Sequence, residues 1–206
     1  MARKTKEEAQ KTYHLLLDSA AMLFAQQGVS HTTLNDIARQ ASLTRGAVYW
    51  HFENKEDVIK GLWERDAAPT LEIFLQALSS PTPTDGTRHF CETIKQMLKV
   101  VVNNPKVSQA VRIVLNSAES TTHQTALQIY LEEKATRIYQ SILDALIHLE
   151  NRAQLNPQYT PQLLAAALWS YLHGLVDNNM QTHIQQIDLK TDSDQLIDLF
   201  LGNFFR

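Results

Sequence analysis

Residues 44–52, with the sequence TRGAVYWHF, decide how the first part of this chain folds. Val48 and Phe52 are four residues apart, so on a helix they share one side and would anchor it to the rest of a domain. On the opposite side, Arg45 can donate two hydrogen bonds to a guanine edge, and Gly46 lets a backbone approach phosphate closely. The segment therefore predicts a short helix with one buried side and one side suited to contact with DNA.

Four more residues of this segment are candidates for DNA contact. Their side chains offer donors to phosphates or an apolar face to a thymine methyl group, and they are Thr44, Tyr49, Trp50 and His51. Thr44 can also cap the N-terminus of the helix.

A second short helix precedes this one. Thr32 or Thr33 can cap it, and Ser42 with Leu43 makes the turn that follows. Its apolar residues recur at helical spacing: Leu34, Ile37, Ala38 and Ala41. Two short helices separated by three or four residues are typical of a helix-turn-helix.

A longer helix is expected on each side of this pair. Thr5 and Glu8 form a capping box at the start of the first helix, and Gly28 ends it. Asn54 caps the fourth helix, which runs towards residue 78. We therefore expect a helix-turn-helix domain over residues 1–54 and a larger helical domain over residues 55–206, connected by the helix at 55–78.

Beyond residue 78 the sequence predicts more helices. Residues 79–84, SSPTPT, form the clearest break. Apolar residues at helical spacing then predict helices near 86–102, 106–118 and 122–149, one from Pro161 with Thr160 as its cap, and a last one capped by Thr191. With six glycines, six prolines and almost no strand-like alternation, the chain is predicted to be all-α.

Composition and charge limit the possible functions. The single cysteine, Cys91, excludes an internal disulfide and has no metal-site spacing, and the basic start of the chain lacks the apolar core of a signal peptide. We expect a cytoplasmic protein without a cofactor. The net charge is −3, but residues 1–65 hold nine Lys/Arg and eight Asp/Glu, while residues 66–206 hold ten and fourteen. The basic residues at the start could reach phosphates or form a solvated tail.

The helix from Pro161 is apolar around almost its whole circumference. Such a helix must be buried on more than one side. A second copy of this helix, together with the last helix, would supply the further partner, so a homodimer through the helices near 161–186 and 192–205 is the preferred interpretation. A central helix of a monomeric bundle is the alternative.

Several strings of the first 65 residues resemble the DNA-binding domain of TetR-family regulators, the AcrR-like multidrug-efflux repressors in particular. They include TLNDIA at residues 33–38, LTRGAVYWHF at 43–52 and KED at 55–57. The resemblance implies that Thr33 caps the second helix at a phosphate and that Thr44, Arg45 and Gly46 face base edges or the DNA backbone. It also implies that four further residues bind the flanking phosphates: Tyr49, Trp50, His51 and Lys55. It also implies repression of transcription.

Ser42 departs from the family pattern, which has glycine at this turn. If the turn requires a positive φ, serine costs roughly 1 kcal/mol there.

A helix-turn-helix protein usually reads DNA as a dimer on an operator that shares its two-fold axis. An effector that changes the distance between the two DNA-binding heads would lower affinity. We expect a moderately apolar effector, cationic ones included, because aromatic, methionine and carboxylate side chains attract such molecules. The candidates are Trp63, Asp66, Met97, Asn116, Glu119, Tyr139, Trp169, His173 and Asp177. Each is also explained by core packing or by a solvated charge.

The preferred interpretation of the function is a ligand-responsive repressor of a multidrug efflux transporter. The sequence has no Gly-rich phosphate loop, HExxH or GxSxG, so an enzyme is not expected. A metal-responsive regulator is an alternative, because His173 and Asp177 are four residues apart and share a helix face. A TetR-like regulator of another pathway and a helical module that binds protein are further alternatives.

Overall fold

The computed structural model of the chain describes residues 6–80, 85–117, 125–180 and 187–206. Within these ranges the regular structure is helical, apart from one isolated antiparallel bridge between Leu155 and Phe205. The prediction of an all-α protein is confirmed. None of the described helices is both long enough and apolar enough to cross a lipid bilayer.

The α-helices are numbered in chain order. They are α1 (Lys6–Gln27), α2 (Leu34–Gln40), α3 (Arg45–His51), α4 (Lys55–Leu62), α5 (Ala68–Ser79), α6 (Gly86–Asn103), α7 (Pro105–Ser117), α8 (Ala126–Asn151), α9 (Pro161–Met180) and α10 (Leu189–Leu201). A π-helical turn, Trp63–Ala67, joins α4 to α5. The single helix predicted over residues 55–78 is therefore interrupted.

The predicted caps around the helix-turn-helix are confirmed. Thr33, not Thr32, caps α2, Thr44 caps α3 by accepting a hydrogen bond from the amide of Ala47, and Asn54 caps α4. These side chains satisfy amides that have no partner within their own helix. Thr5, the expected cap of α1, lies outside the described residues.

Two predictions in the second half of the chain need correction. The last helix is capped by Asp188, whose side chain accepts from the amide of Lys190, and Thr191 lies inside its first turn. This helix ends at Leu201, before the predicted limit of 205. Asp is at least as good a cap as Thr, so the helix begins at the earlier of the two residues.

The chain divides into two compact units. The first contains the described residues within 1–68 and 109–128, and the second those within 69–108 and 129–206. This division differs from the predicted boundary at residue 54, because α4 packs on α1 and the Gln109 side chain donates to the carbonyl of Ala21 at 2.7 Å. The boundary between functional domains stays a prediction.

The helix-turn-helix of the first unit is held by apolar side chains. Val48 and Phe52, expected to anchor α3, are buried. They belong to a core to which α1, α2 and α4 also contribute, and its members include Leu16, Leu17, Phe24, Ile37, Val58, Ile59 and Leu62. The opposite side of α3 is thereby left on the surface.

Ser42 occupies the turn between α2 and α3 with a φ of 55°. This is the left-handed region, which glycine adopts more easily than residues with a Cβ. The condition stated for the departure from the family pattern is met, so serine carries strain at this position.

Ser42→Gly is expected to raise the free energy of unfolding by about 1 kcal/mol, because it removes this strain. Urea unfolding followed by circular dichroism measures the change. Ser30→Gly serves as the control, because the φ of Ser30 is not positive. That variant should gain nothing, and an equal gain in both variants would contradict the assignment of strain to Ser42.

Helix α9 of the second unit has one buried and one exposed side. Leu164, Leu168 and Leu172 are buried, whereas Leu163 is 56% exposed. Helix α10 is attached to α9 through Tyr171, whose ring stacks on Phe200 with centroids 4.1 Å apart. The predicted apolar surface of α9 is thus only partly covered within one chain.

Candidate DNA-binding and effector-binding sites

Helix α3 presents its candidate residues to solvent. Thr44, Arg45, Gly46, Tyr49 and Trp50 are exposed. Trp50 is 72% exposed, an unusual position for so large an aromatic side chain. Five of the eight predicted residues therefore lie on the exposed surface of α3 or at its start, whereas His51 is half-buried.

Arg45 is held in place by Tyr49. The guanidinium carbon lies 5.3 Å from the centroid of the Tyr49 ring, a cation–π contact across one helical turn. The contact leaves the planar set of guanidinium donors at the surface, where a guanine edge could accept two hydrogen bonds.

Gly46 has space around it. A Cβ built on this residue would meet no heavy atom closer than Thr44 Oγ1, at 3.9 Å. The fold of this chain therefore does not require glycine at this position. Close approach of a DNA backbone would require it.

Thr33 is part of a closed hydrogen-bond arrangement. Its amide and its hydroxyl donate to Asp36 Oδ2 at 3.0 and 2.6 Å, and the Asp36 amide donates back to Thr33 Oγ1 at 3.2 Å. These bonds hold the pKa of the Asp36 carboxyl below its usual range, the Thr33 hydroxyl being the largest cause. A phosphate contact of the Thr33 hydroxyl would have to replace the bond to Asp36.

Lys55 is attached to the turn after α1. Its Nζ donates to the carbonyl of Val29 at 2.9 Å and lies 3.4 Å from that of Ser30. An ammonium group has three donors, so one remains for a phosphate. Besides its predicted contact with phosphate, Lys55 therefore connects the start of α4 to the turn after α1.

An aromatic cluster supports the end of α3. The His51 ring lies 4.5 Å from that of Trp50, and Tyr13 of α1 stacks on Phe52 with centroids 5.2 Å apart. A Cβ at Gly61 of α4 would meet the Tyr13 hydroxyl at 2.6 Å, so a larger residue there would displace the Tyr13 side chain. Burial, the largest cause, raises the pKa of Tyr13.

Three effector candidates belong to the first unit. Trp63 is buried, and none of the described residues accepts a hydrogen bond from its Nε1. Asp66 is engaged by Arg65, whose Nε and Nη2 donate to its two oxygens at 2.8 Å each. Asn116 is exposed. Trp63 therefore offers a buried donor, while the charge of Asp66 is already balanced.

The other described candidates belong to the second unit. Trp169 lies between Tyr139 and His173, with ring centroids 6.3 Å from each. Met97 is buried, whereas His173 and Asp177 are exposed on α9. Glu119 lies outside the described residues. Tyr139, Trp169 and His173 thus form one aromatic row.

The described effector candidates form neither a metal cluster nor the lining of the cleft that the second unit contains. Among the described residues, no group of three or more His, Cys, Asp or Glu could hold a metal ion. A small open cleft of the second unit is lined by other residues, among them Phe90, His89 and His148.

Comparison with known proteins identifies the family. Residues 16–62 match the family described as bacterial regulatory proteins, tetR family. The chain is 31% identical to the HTH-type transcriptional regulator AcrR of Shigella flexneri, over 98% of this chain and 93% of that one. It belongs to the TetR family.

Other TetR-family proteins are similar over nearly their full length. The chain is 28% identical to the HTH-type transcriptional regulator TtgR of Pseudomonas putida, over 96% of this chain and 93% of that one. The crystal structure of NalD, the secondary repressor of the MexAB-OprM multidrug efflux pump in Pseudomonas aeruginosa, matches with a TM-score of 0.79 and 28% identity, covering 98% of this chain and 99% of that one. This TetR-family chain is therefore a DNA-binding transcriptional regulator and not an enzyme.

Sequence reasoning missed residues that hold the DNA-binding helix from outside it. Tyr13 could have been noticed as an aromatic residue one turn before the apolar pair Leu16–Leu17 of α1. The bonds from Asp36 to Thr33 follow the capping-box spacing, which was available in the sequence. Arg65 contacts Asp18 and His14 of α1, and no local pattern in the sequence predicts these contacts.

Proposed function

We propose that this TetR-family regulator represses transcription by binding a palindromic operator as a homodimer, and that a small, moderately apolar effector releases it. Cationic effectors are included. The regulated gene would encode a multidrug efflux transporter, and the protein would act in the cytoplasm. The exposed side of α3, with Arg45 held over Tyr49, is the observation that supports DNA binding most directly.

The efflux target is supported by the relatives. NalD is described as the secondary repressor of a multidrug efflux pump. SmeT is described as the repressor of a Stenotrophomonas maltophilia multidrug efflux pump, and its structure matches with a TM-score of 0.79 and 25% identity over 96% of this chain and 92% of that one. Because the similarity extends over both units, it includes the part of the chain expected to bind the effector.

Two separate features of the described residues, one in each unit, support this effector class. Trp63 supplies a buried N–H donor that needs an acceptor, and burial without one is unfavourable. The aromatic row of Tyr139, Trp169 and His173 supplies ring faces that bind apolar groups and cations. An effector with aromatic rings would use these faces by burial.

Arg45→Ala is expected to weaken operator binding by about 1–3 kcal/mol and to relax the base preference, because a bidentate contact to a base is lost. Fluorescence anisotropy with operator fragments selected from the source genome measures both effects. Lys55→Ala should weaken binding to all sequences similarly and lower the salt slope by about 1.

Arg88→Ala is the matched control, since Arg88 is an exposed arginine of the second unit. It should leave the affinity for the operator unchanged. Unchanged binding by Arg45→Ala, or an equal loss in both arginine variants, would contradict the proposed role of α3.

Tetraphenylphosphonium, a lipophilic aromatic cation, is expected to quench the tryptophan fluorescence with a Kd below about 100 μM, the range of weak but specific sites. Trp63→Phe should retain the fold and weaken the binding of probes that carry an acceptor, such as triphenylphosphine oxide. Absence of binding by both probes would contradict the proposed effector class.

A further inference from the structure

The first turn of α8 is attached to α4. Glu56 Oε2 accepts a hydrogen bond from the backbone amide of Leu127 at 3.2 Å, although the two residues are 71 positions apart. Both residues belong to the first unit, and the Leu127 side chain is buried. The start of α8 is therefore fixed to the DNA-binding unit by a polar bond and by an apolar side chain.

The bond satisfies a group that α8 cannot satisfy itself. The first four amides of a helix have no partner within the helix, and its N-terminus carries a partial positive charge. Thr125 and Gln128 form a local capping box, in which the Gln128 amide donates to Thr125 Oγ1 at 3.2 Å. The Leu127 amide donates to Glu56 instead of to a group of its own helix.

Glu56 lies close in sequence to the DNA-binding helix. It is the second residue of α4, which begins three residues after Phe52, the C-terminal cap of α3. Helix α8 continues beyond residue 128 into the second unit, where it carries Tyr139 of the aromatic row. One hydrogen bond thus joins the segment that follows α3 to the helix that carries a candidate effector residue.

We propose that Glu56 is a positioning residue through which the effector response reaches the DNA-binding helix. Effector binding that moves α8 moves the start of α4 with it, and α3 follows because the two are separated by a short, capped turn. This inference rests on the proposed function, since it assigns a route to effector-induced release. It requires that loss of the Glu56–Leu127 bond reduces release without preventing either binding event.

Two substitutions separate the bond from the charge. Glu56→Asp keeps the negative charge but shortens the side chain by one methylene, so that its carboxylate falls short of the Leu127 amide. Glu56→Gln removes the charge but keeps an acceptor oxygen at full length. Glu53→Gln, an exposed glutamate three residues earlier, controls for the effect of charge on DNA binding.

Three constants are measured for the full-length wild type and each variant. They are the Kd for tetraphenylphosphonium by tryptophan fluorescence, and the Kd for a genome-selected operator by anisotropy without and with a saturating amount of that probe. The ratio of the last two is the release factor. Amide hydrogen exchange at Leu127 reports whether the bond is lost.

For the wild type we expect a release factor of about 100. Glu56→Gln and Glu53→Gln should keep it within about threefold, while Glu56→Asp should reduce it below about tenfold. Both separate binding constants of Glu56→Asp should stay near those of the wild type, and its Leu127 amide should exchange faster. A purely structural role would change stability but not the release factor.

If Glu56→Asp keeps the release factor of the wild type, this inference is overturned and the proposed function is not. Glu56→Ala, which removes the acceptor completely, is the second variant if Glu56→Asp does not fold, and the same outcome applies to it. A wild-type protein that binds no operator, or that the probe does not release, contradicts the proposed function and this inference together.

Discussion

Arg65→Ala is expected to lower the free energy of unfolding by about 3 kcal/mol, because removing one partner of a buried ion pair leaves the other charge uncompensated. Arg65 lies in the π-helical turn, and its side chain is only 17% exposed. Its partner Asp66 is 8% exposed and receives two hydrogen bonds from it. Replacement by alanine would leave this carboxylate buried without its cation.

Arg65 also connects the turn to α1. Its Nη1 lies 2.9 Å from Asp18 Oδ1 and donates to the carbonyl of His14 at 3.2 Å. Burial opposes the charge of Arg65, but the hydrogen bond and charge of Asp66, with the charge of Asp18, outweigh it and raise the pKa of the guanidinium. The arginine therefore stays charged throughout the accessible pH range.

Urea unfolding of the wild type and the variant measures this loss. Asp18→Asn is the matched control, because Asp18 is 61% exposed and an exposed ion pair contributes about 1 kcal/mol or less. Arg65→Lys should fall between the two, since a lysine keeps the charge but not the paired donors. A loss below about 1 kcal/mol for Arg65→Ala would contradict the importance of the ion pair.

The parts of the fold that depend on local chemistry could be predicted from sequence. The caps Thr33, Thr44 and Asn54 act within four residues of themselves, so their spacing reveals them. The strain at Ser42 was suggested by the glycine that the family pattern has at this turn, and the φ of 55° confirms it. The cap of α10 was harder to predict, because Asp188 and Thr191 can both cap a helix. The structure shows the longer of the two possible helices, which Asp188 caps.

The π-helical turn and the contacts around it could not be predicted in this way. The ion pair between Arg65 and Asp18 joins residues of different helices, and helical periodicity carries no information about such pairs. The candidate site divides in the same way. Six of the eight DNA-binding candidates lie within residues 44–51, whereas the effector candidates come from several helices of two units. Their common use therefore stays a prediction.

Leu163→Glu combined with Leu199→Glu is expected to convert the proposed dimer to a monomer. Operator binding should then weaken at least about 100-fold, because a dimer that engages two half-sites gains a factor of about 10²–10⁴ over a protein that engages one. The two leucines are 56% and 78% exposed, on α9 and α10. Charged side chains at these positions would have to be buried between copies. Light scattering gives the molar mass, and anisotropy gives the affinity for the operator.

Ile73→Glu is the matched control, because Ile73 is also a large apolar residue, 65% exposed, but lies on α5. If exposed apolar residues were merely tolerated on this surface, all three positions would accept glutamate without a change in molar mass. If α9 and α10 form the interface, only the double variant becomes a monomer. A dimeric double variant with full operator affinity would place the interface elsewhere and leave the exposed side of α9 without its proposed partner.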